Sequence, residues 1–167
     1  VKSIINAYQL GQYFTVLDKL DVDGNTIFMN AVKKTSVEIV KYLYDTFSHS
    51  IELNAENNNG DTIFTLASQN DNVDVIRYFC EKFNCENDLN LKNKNGNTAF
   101  MLAAQNTNVR IVRYLYCLYE MRDLSSTNGL CVNINTRNNN GDTAFMLAIK
   151  NNANFEVIQF LYDKLDK

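Results

Sequence analysis

The sequence predicts a mainly α solenoid in which helix-turn-helix units stack side by side and are joined by β-turn or hairpin fingers. Three observations carry this. The pattern Gly-x-Thr-[Ile/Ala]-Phe-x-x-Ala occurs four times, from Gly24, Gly60, Gly96 and Gly141. A second apolar stretch at helical spacing opens eleven residues after Thr26, Thr62 and Thr98, at Val37, Val73 and Val109, and twelve after Thr143, at Phe155. No proline and no Ser/Gly linker divides the 167 residues, which reads as one domain over 1–167. A unit this short cannot bury its apolar face alone, so neighbouring copies must share one continuous core.

The chain opens with a partial helix pair over residues 1–20, where Ile4, Ala7, Gly11, Val16 and Leu17 fall in the repeat frame without the glycine turn. Full units follow at approximately 21–56, 57–92, 93–137 and 138–167. The third illustrates the design. Asn93-Lys94-Asn95-Gly96 reads as a tight turn, with Asn93 placed to bond its own backbone downstream and Gly96 to take a conformation other residues resist. Thr98 is the expected N-cap of a short helix that offers Phe100, Leu102, Ala103 and Ala104 as apolar surface. After the polar break Gln105-Asn106-Thr107-Asn108, a second helix puts Val112, Leu115, Tyr116 and Tyr119 on one face and Arg110 and Arg113 on the other. In the last unit Val157, Ile158, Leu161 and Tyr162 keep this internal pattern, so the face predicts end-to-end self-association or stacking of a further repeat.

These units resemble the ankyrin repeat, whose pattern is Gly-x-Thr-Pro-Leu-His-x-Ala-Ala, then a second helix and a connector ending Val-Asn-x-x-Asp. The matches are the four glycines, Thr26, Thr62, Thr98 and Thr143, Ala31, Ala67, Ala103 and Ala148, and the connector residues Asn54, Asn90 and Asn135. The departures are systematic. Ile27, Ile63, Ala99 and Ala144 replace the proline, and Met29, Thr65, Met101 and Met146 replace the histidine. Fixed φ and inter-repeat hydrogen bonds are thereby lost, which shifts the load onto packing. Glycines at 24, 60 and 96 recur every 36 residues, against about 33 in the family. The column Phe47, Phe83, Tyr119 and Leu165 suggests that the extra residues add a turn to the second helix. The connector around 122–134 is longer than the others; Asn128-Gly129 and the alternation from Leu130 to Asn135 suggest a short hairpin, either an extended binding finger or a passive insertion.

A net charge of -3, from 16 basic and 19 acidic residues, lacks the footprint of a nucleic-acid binder. No apolar run of about 18 residues and no basic amphipathic helix points to a membrane. Cys80 shares the column of Tyr44, Tyr116 and Tyr162, a place for a packed side chain, and the spacings to Cys85 and from Cys117 to Cys131 match no strong zinc pattern, so no metal is expected. Reduced thiols and the absence of an Asn-x-Ser/Thr acceptor fit a cytoplasmic setting. The glycines are turn residues rather than phosphate loops, and no cofactor is expected. His49, the single histidine, lies in a connector outside any nucleophile constellation, so no catalytic residue and no enzymatic activity are expected.

The resemblance implies a concave side on which turn tips and first-helix ends meet a protein or peptide partner. Those positions are Glu56, Asn58, Asn59, Asp61, Gln69 and Asn70; Lys92, Lys94, Asn95, Asn97, Gln105 and Asn106; and Arg137, Asn139, Asn140, Asp142, Lys150 and Asn151. Amides donate and accept, which suits recognition of polypeptide. On the outer side Lys41, Arg77 and Arg113 form a cationic row read as solvated and paired with Glu38 and Asp74. The sequence therefore reads as a non-catalytic interaction or scaffold module. The alternative is a regulatory or targeting domain of a larger enzyme, effector or channel. A third reading has Lys92, Lys94 and Arg137 hold a small phosphorylated ligand.

Overall fold

The computed structural model describes residues 19–83, 90–106, 108–120 and 133–165. The expected N-terminal pair at 1–18, most of the long connector with its expected hairpin, Cys85 and Cys131 lie outside them, as does the side chain of Tyr119. Among the described residues there are four helix pairs: α1 (Ile27–Lys34) with α2 (Val37–Phe47), α3 (Ile63–Ala67) with α4 (Val73–Phe83), α5 (Ala99–Ala104) with α6 (Val109–Glu120), and α7 (Ala144–Lys150) with α8 (Phe155–Leu165). The first helices pack in one row, α1 on α3 on α5 on α7, and the second helices in another, α2 on α4 on α6 on α8. Among the described residues the fingers are tight turns without strands. The reason is local: bonds from asparagine side chains, set out below, take the main-chain groups that a ladder would need.

Each first helix starts where its threonine dictates. Thr26, Thr62, Thr98 and Thr143 sit in extended backbone and accept from the N–H three residues on, which satisfies one of the donors a helix start leaves open. The second helices end at Phe47, Phe83 and Leu165, so the added column does lie on an extra turn. Asn152, at φ 52°, absorbs the additional residue between α7 and α8, a left-handed conformation asparagine tolerates better than most.

The core runs through all four pairs. Met29, Thr65 and Met101, which stand where the family has histidine, are at most 1% exposed, so apolar packing and local bonds, from Thr65 Oγ1 to Thr62 O at 2.9 Å and from Thr26 N to Met29 Sδ at 3.5 Å, occupy a place for polar links between repeats. Aromatic rings add to it. Phe28 meets Phe79 edge-on at 6.3 Å across the first two pairs, Tyr44 meets Phe83 at 5.1 Å, and Tyr116 meets Phe160 at 5.5 Å. Cys80 is half-buried against this core. In the last pair Met146, Ile149 and Phe155 are exposed; of the residues the sequence assigns to self-association or a further repeat, Tyr162 is exposed, whereas Val157 and Leu161 are buried and Ile158 packs against the core.

Candidate protein-binding face

Asparagines at one column organise the fingers. Asn57, Asn93 and Asn138 are buried, and each Oδ1 accepts from the main-chain N–H groups two and four residues on, at 2.9 to 3.0 Å. Each Nδ2 donates backwards to the preceding finger: Asn57 to Asn25, Asn93 to Asp61 and Asn138 to Asn97, at 2.8, 2.8 and 2.9 Å. Asp21 occupies this column in the first finger and accepts from the N–H groups of Asp23 and Asn25. Its carboxyl is lowered to about 2, chiefly by the bond from the Asn30 side chain at 2.7 Å and then by the Asn25 main chain.

Main-chain bonds tie finger to finger as well, from Asn58 N to Asp23 O, Lys94 N to Asn59 O and Asn139 N to Asn95 O. The glycine turns allow this approach. Gly96, at φ +77°, lies so close to the main-chain N and side chain of Asn139 that a Cβ would collide with them, whereas at Gly141, φ +79°, a Cβ would meet nothing within 4 Å.

This network divides the expected contact residues. Asp61, Asn70 and Asp142 are 5, 3 and 6% exposed, which corrects their placement on an open surface. The cause is bonding within the stack: Asp61 accepts from Asn93, Asn70 donates to Val32 O and Thr35 O, and Asp142 pairs with Lys150 Nζ at 2.5 Å. Asn58, Asn139, Asn97 and Asn106 also spend their side chains between repeats, on Val22 O, Lys94 O, Asn138 Nδ2 and Gln69 O. Asn151 bonds back to Leu147 O.

What stays open is a row at the finger tips. Asn59, Asn95 and Asn140 are exposed, immediately before Gly60, Gly96 and Gly141, with side chains outside the inter-finger network. Glu56, Lys92, Lys94, Arg137 and Lys150 are exposed beside or behind them. On the inner helix row Gln69, Gln105, Asn106 and Leu102 surround a shallow hollow of about 200 Å³. The hollow sets side-chain amides beside the apolar side chain of Leu102.

The outer row behaves differently from its sequence reading. Arg77 does pair with Asp74 at 2.9 Å. Yet each cation also lies over an aromatic ring of the next pair: Lys41 over Tyr78 at 5.4 Å, Arg77 over Tyr114 at 5.6 Å and Arg113 over Phe160 at 5.5 Å. Lys82 sits 4.4 Å from the Tyr44 ring, and its ammonium is raised, first by the Tyr78 hydroxyl and then, against a smaller desolvation effect, by Asp45. The signal for this ladder was the aromatic following Arg77 and Arg113 in sequence.

Ser48 Oγ lies 3.3 Å from His49 Nδ1, an exposed contact between chain neighbours. No group of three or more metal-ligating side chains occurs among the described residues, and none of the described helices is long and apolar enough to cross a membrane. A family model for ankyrin repeats, in three copies, matches residues 1–90 and 82–167. Comparison with curated proteins finds no match.

Proposed function

The chain belongs to the ankyrin-repeat family, whose members are generally protein–protein interaction modules, and from that premise we propose that it is a non-catalytic binding or scaffold module. It takes a protein or peptide on its finger tips and inner helix row. The observation that supports this is the division of the asparagines. One set is consumed by the stack, while Asn59, Asn95 and Asn140 stand exposed in a row at repeat spacing. The asparagine side chains at these three tips take no part in joining the fingers, and a row of amides suits the alternating donors and acceptors of a polypeptide. The exposed thiol of Cys117 is in keeping with a reducing, cytoplasmic setting.

The test is affinity capture from cell extract with quantitative mass spectrometry, using the wild type, an Asn59→Ala/Asn95→Ala/Asn140→Ala variant and an outer-face Lys41→Gln/Arg77→Gln/Arg113→Gln variant. Loss of a specific protein with the tip variant alone supports the assignment. Loss with the outer variant alone moves the site to the other face.

A further inference from the structure

Among the described residues, exposed charge is segregated along the fingers. Asp21 and Asp23 of the first finger and Glu52 and Glu56 of the second are exposed, against Lys19 alone. Lys92 and Lys94 of the third and Arg137 of the fourth are exposed, and the described parts of those two fingers carry no exposed carboxylate. The full sequence also places Glu86 and Asp88 in the third connector and Arg122 and Asp123 in the fourth, outside the described residues.

The three cations are also held in place. Lys92 Nζ donates to Arg137 O at 2.9 Å, Lys94 Nζ to Asn58 O at 3.0 Å, and Arg137 Nη1 to Gly141 O at 2.7 Å. A main-chain carbonyl orients a cation without cancelling its charge, and none of the three joins an ion pair among the described residues. Each lysine keeps further N–H donors for a ligand. Side chains already ordered this way lose less entropy on binding than free ones.

We propose that the partner is an extended protein segment of opposite polarity, with basic side chains over the first two fingers and an acidic stretch over the third and fourth. This rests on the reading of the fingers as the protein-binding face. Stacked helices lie about 8–10 Å apart, so fingers two repeats apart are separated by roughly 20 Å, a span of about six extended residues. A uniform polyanion such as nucleic acid gains at one end and is repelled at the other. Charge order of this kind sets register and orientation more than raw affinity.

The experiment measures fluorescence anisotropy of labelled synthetic peptides on the intact chain. One peptide has a block of lysines, a neutral spacer of about six residues and a block of glutamates; its isomer alternates the same charges. The block peptide is expected to bind about tenfold more tightly at low salt, with the advantage shrinking as salt rises. Lys92→Glu/Lys94→Glu/Arg137→Glu should abolish the preference, and Lys92→Gln/Lys94→Gln/Arg137→Gln, which keeps neutral donors for the carbonyls, should reduce it with an unchanged melting curve. Equal binding of the two isomers, or an all-glutamate peptide or oligonucleotide binding more tightly than the block peptide, overturns the proposal. A captured protein that is lost with the Asn59/Asn95/Asn140 variant but indifferent to the charge variants would leave the face standing and remove the charge order. Indifference to both sets would remove the face itself.

Discussion

Asn93 and Asn95 are two residues apart and chemically identical, yet they do different work. Asn93 is buried, gathers two main-chain N–H groups and reaches Asp61 on the neighbouring finger, whereas the Asn95 side chain stands in solvent. Leaving buried polar groups unpaired costs about 1–3 kcal/mol each, so Asn93→Ala should destabilise by roughly 2–4 kcal/mol, while Asn95→Ala should stay within about 0.5 kcal/mol. Urea melts check both, and equal effects would undo the division of roles. The glycines give a second contrast. Gly96→Ala and Gly141→Ala share the left-handed backbone cost of about 1–2 kcal/mol, but only the first also drives a Cβ into the next finger. The Gly96 variant should therefore melt earlier; coincident melts would contradict the finger contact. Asp21 adds a pH dependence. Its folded carboxyl is lowered to about 2, so its contribution is present above the unfolded value of about 4 and is lost as pH falls towards about 2. Asp21→Asn should flatten that part of an acid titration of stability, and an unchanged acid limb would contradict it.

At the scale of the helix pair, the glycine-threonine pattern was enough to locate the first helices, because an N-cap hydroxyl and a left-handed turn are local requirements that a short motif can state. Thr98 and Gly96 do what their neighbours in sequence imply. The cation–π ladder was not legible in the same way. Arg77 meets Tyr114 only because α4 and α6 stack in one register, so the aromatic beside each arginine in sequence does not by itself state the contact. The same holds for Asp61, Asn70 and Asp142, whose polarity suggested surface while their partners sit on other elements or another turn. Packing sets the energetics here. Leu115 is fully buried in the α6 core, so Leu115→Ala should cost roughly 2–5 kcal/mol. Arg113→Ala, which gives up one exposed stack on Phe160, should cost about 0.5–1 kcal/mol. Comparable losses in urea melts would invert the assigned helix faces.

For the molecule as a whole, the same residue type builds the stack and furnishes its open surface, which is why the exposed row could not be separated from the scaffold by composition. Geometry separates them: Asn57, Asn93 and Asn138 lie between fingers, and Asn59, Asn95 and Asn140 lie beyond them. Binding and stability should therefore be separable by mutation. The most direct measurement is the affinity of a captured protein partner, by titration calorimetry, for the wild type and for Asn59→Ala/Asn95→Ala/Asn140→Ala, with urea melts of both. Affinity lower by about tenfold or more at an unchanged melting midpoint is the predicted result, and unchanged affinity for a partner that the outer-face variant loses would contradict the account.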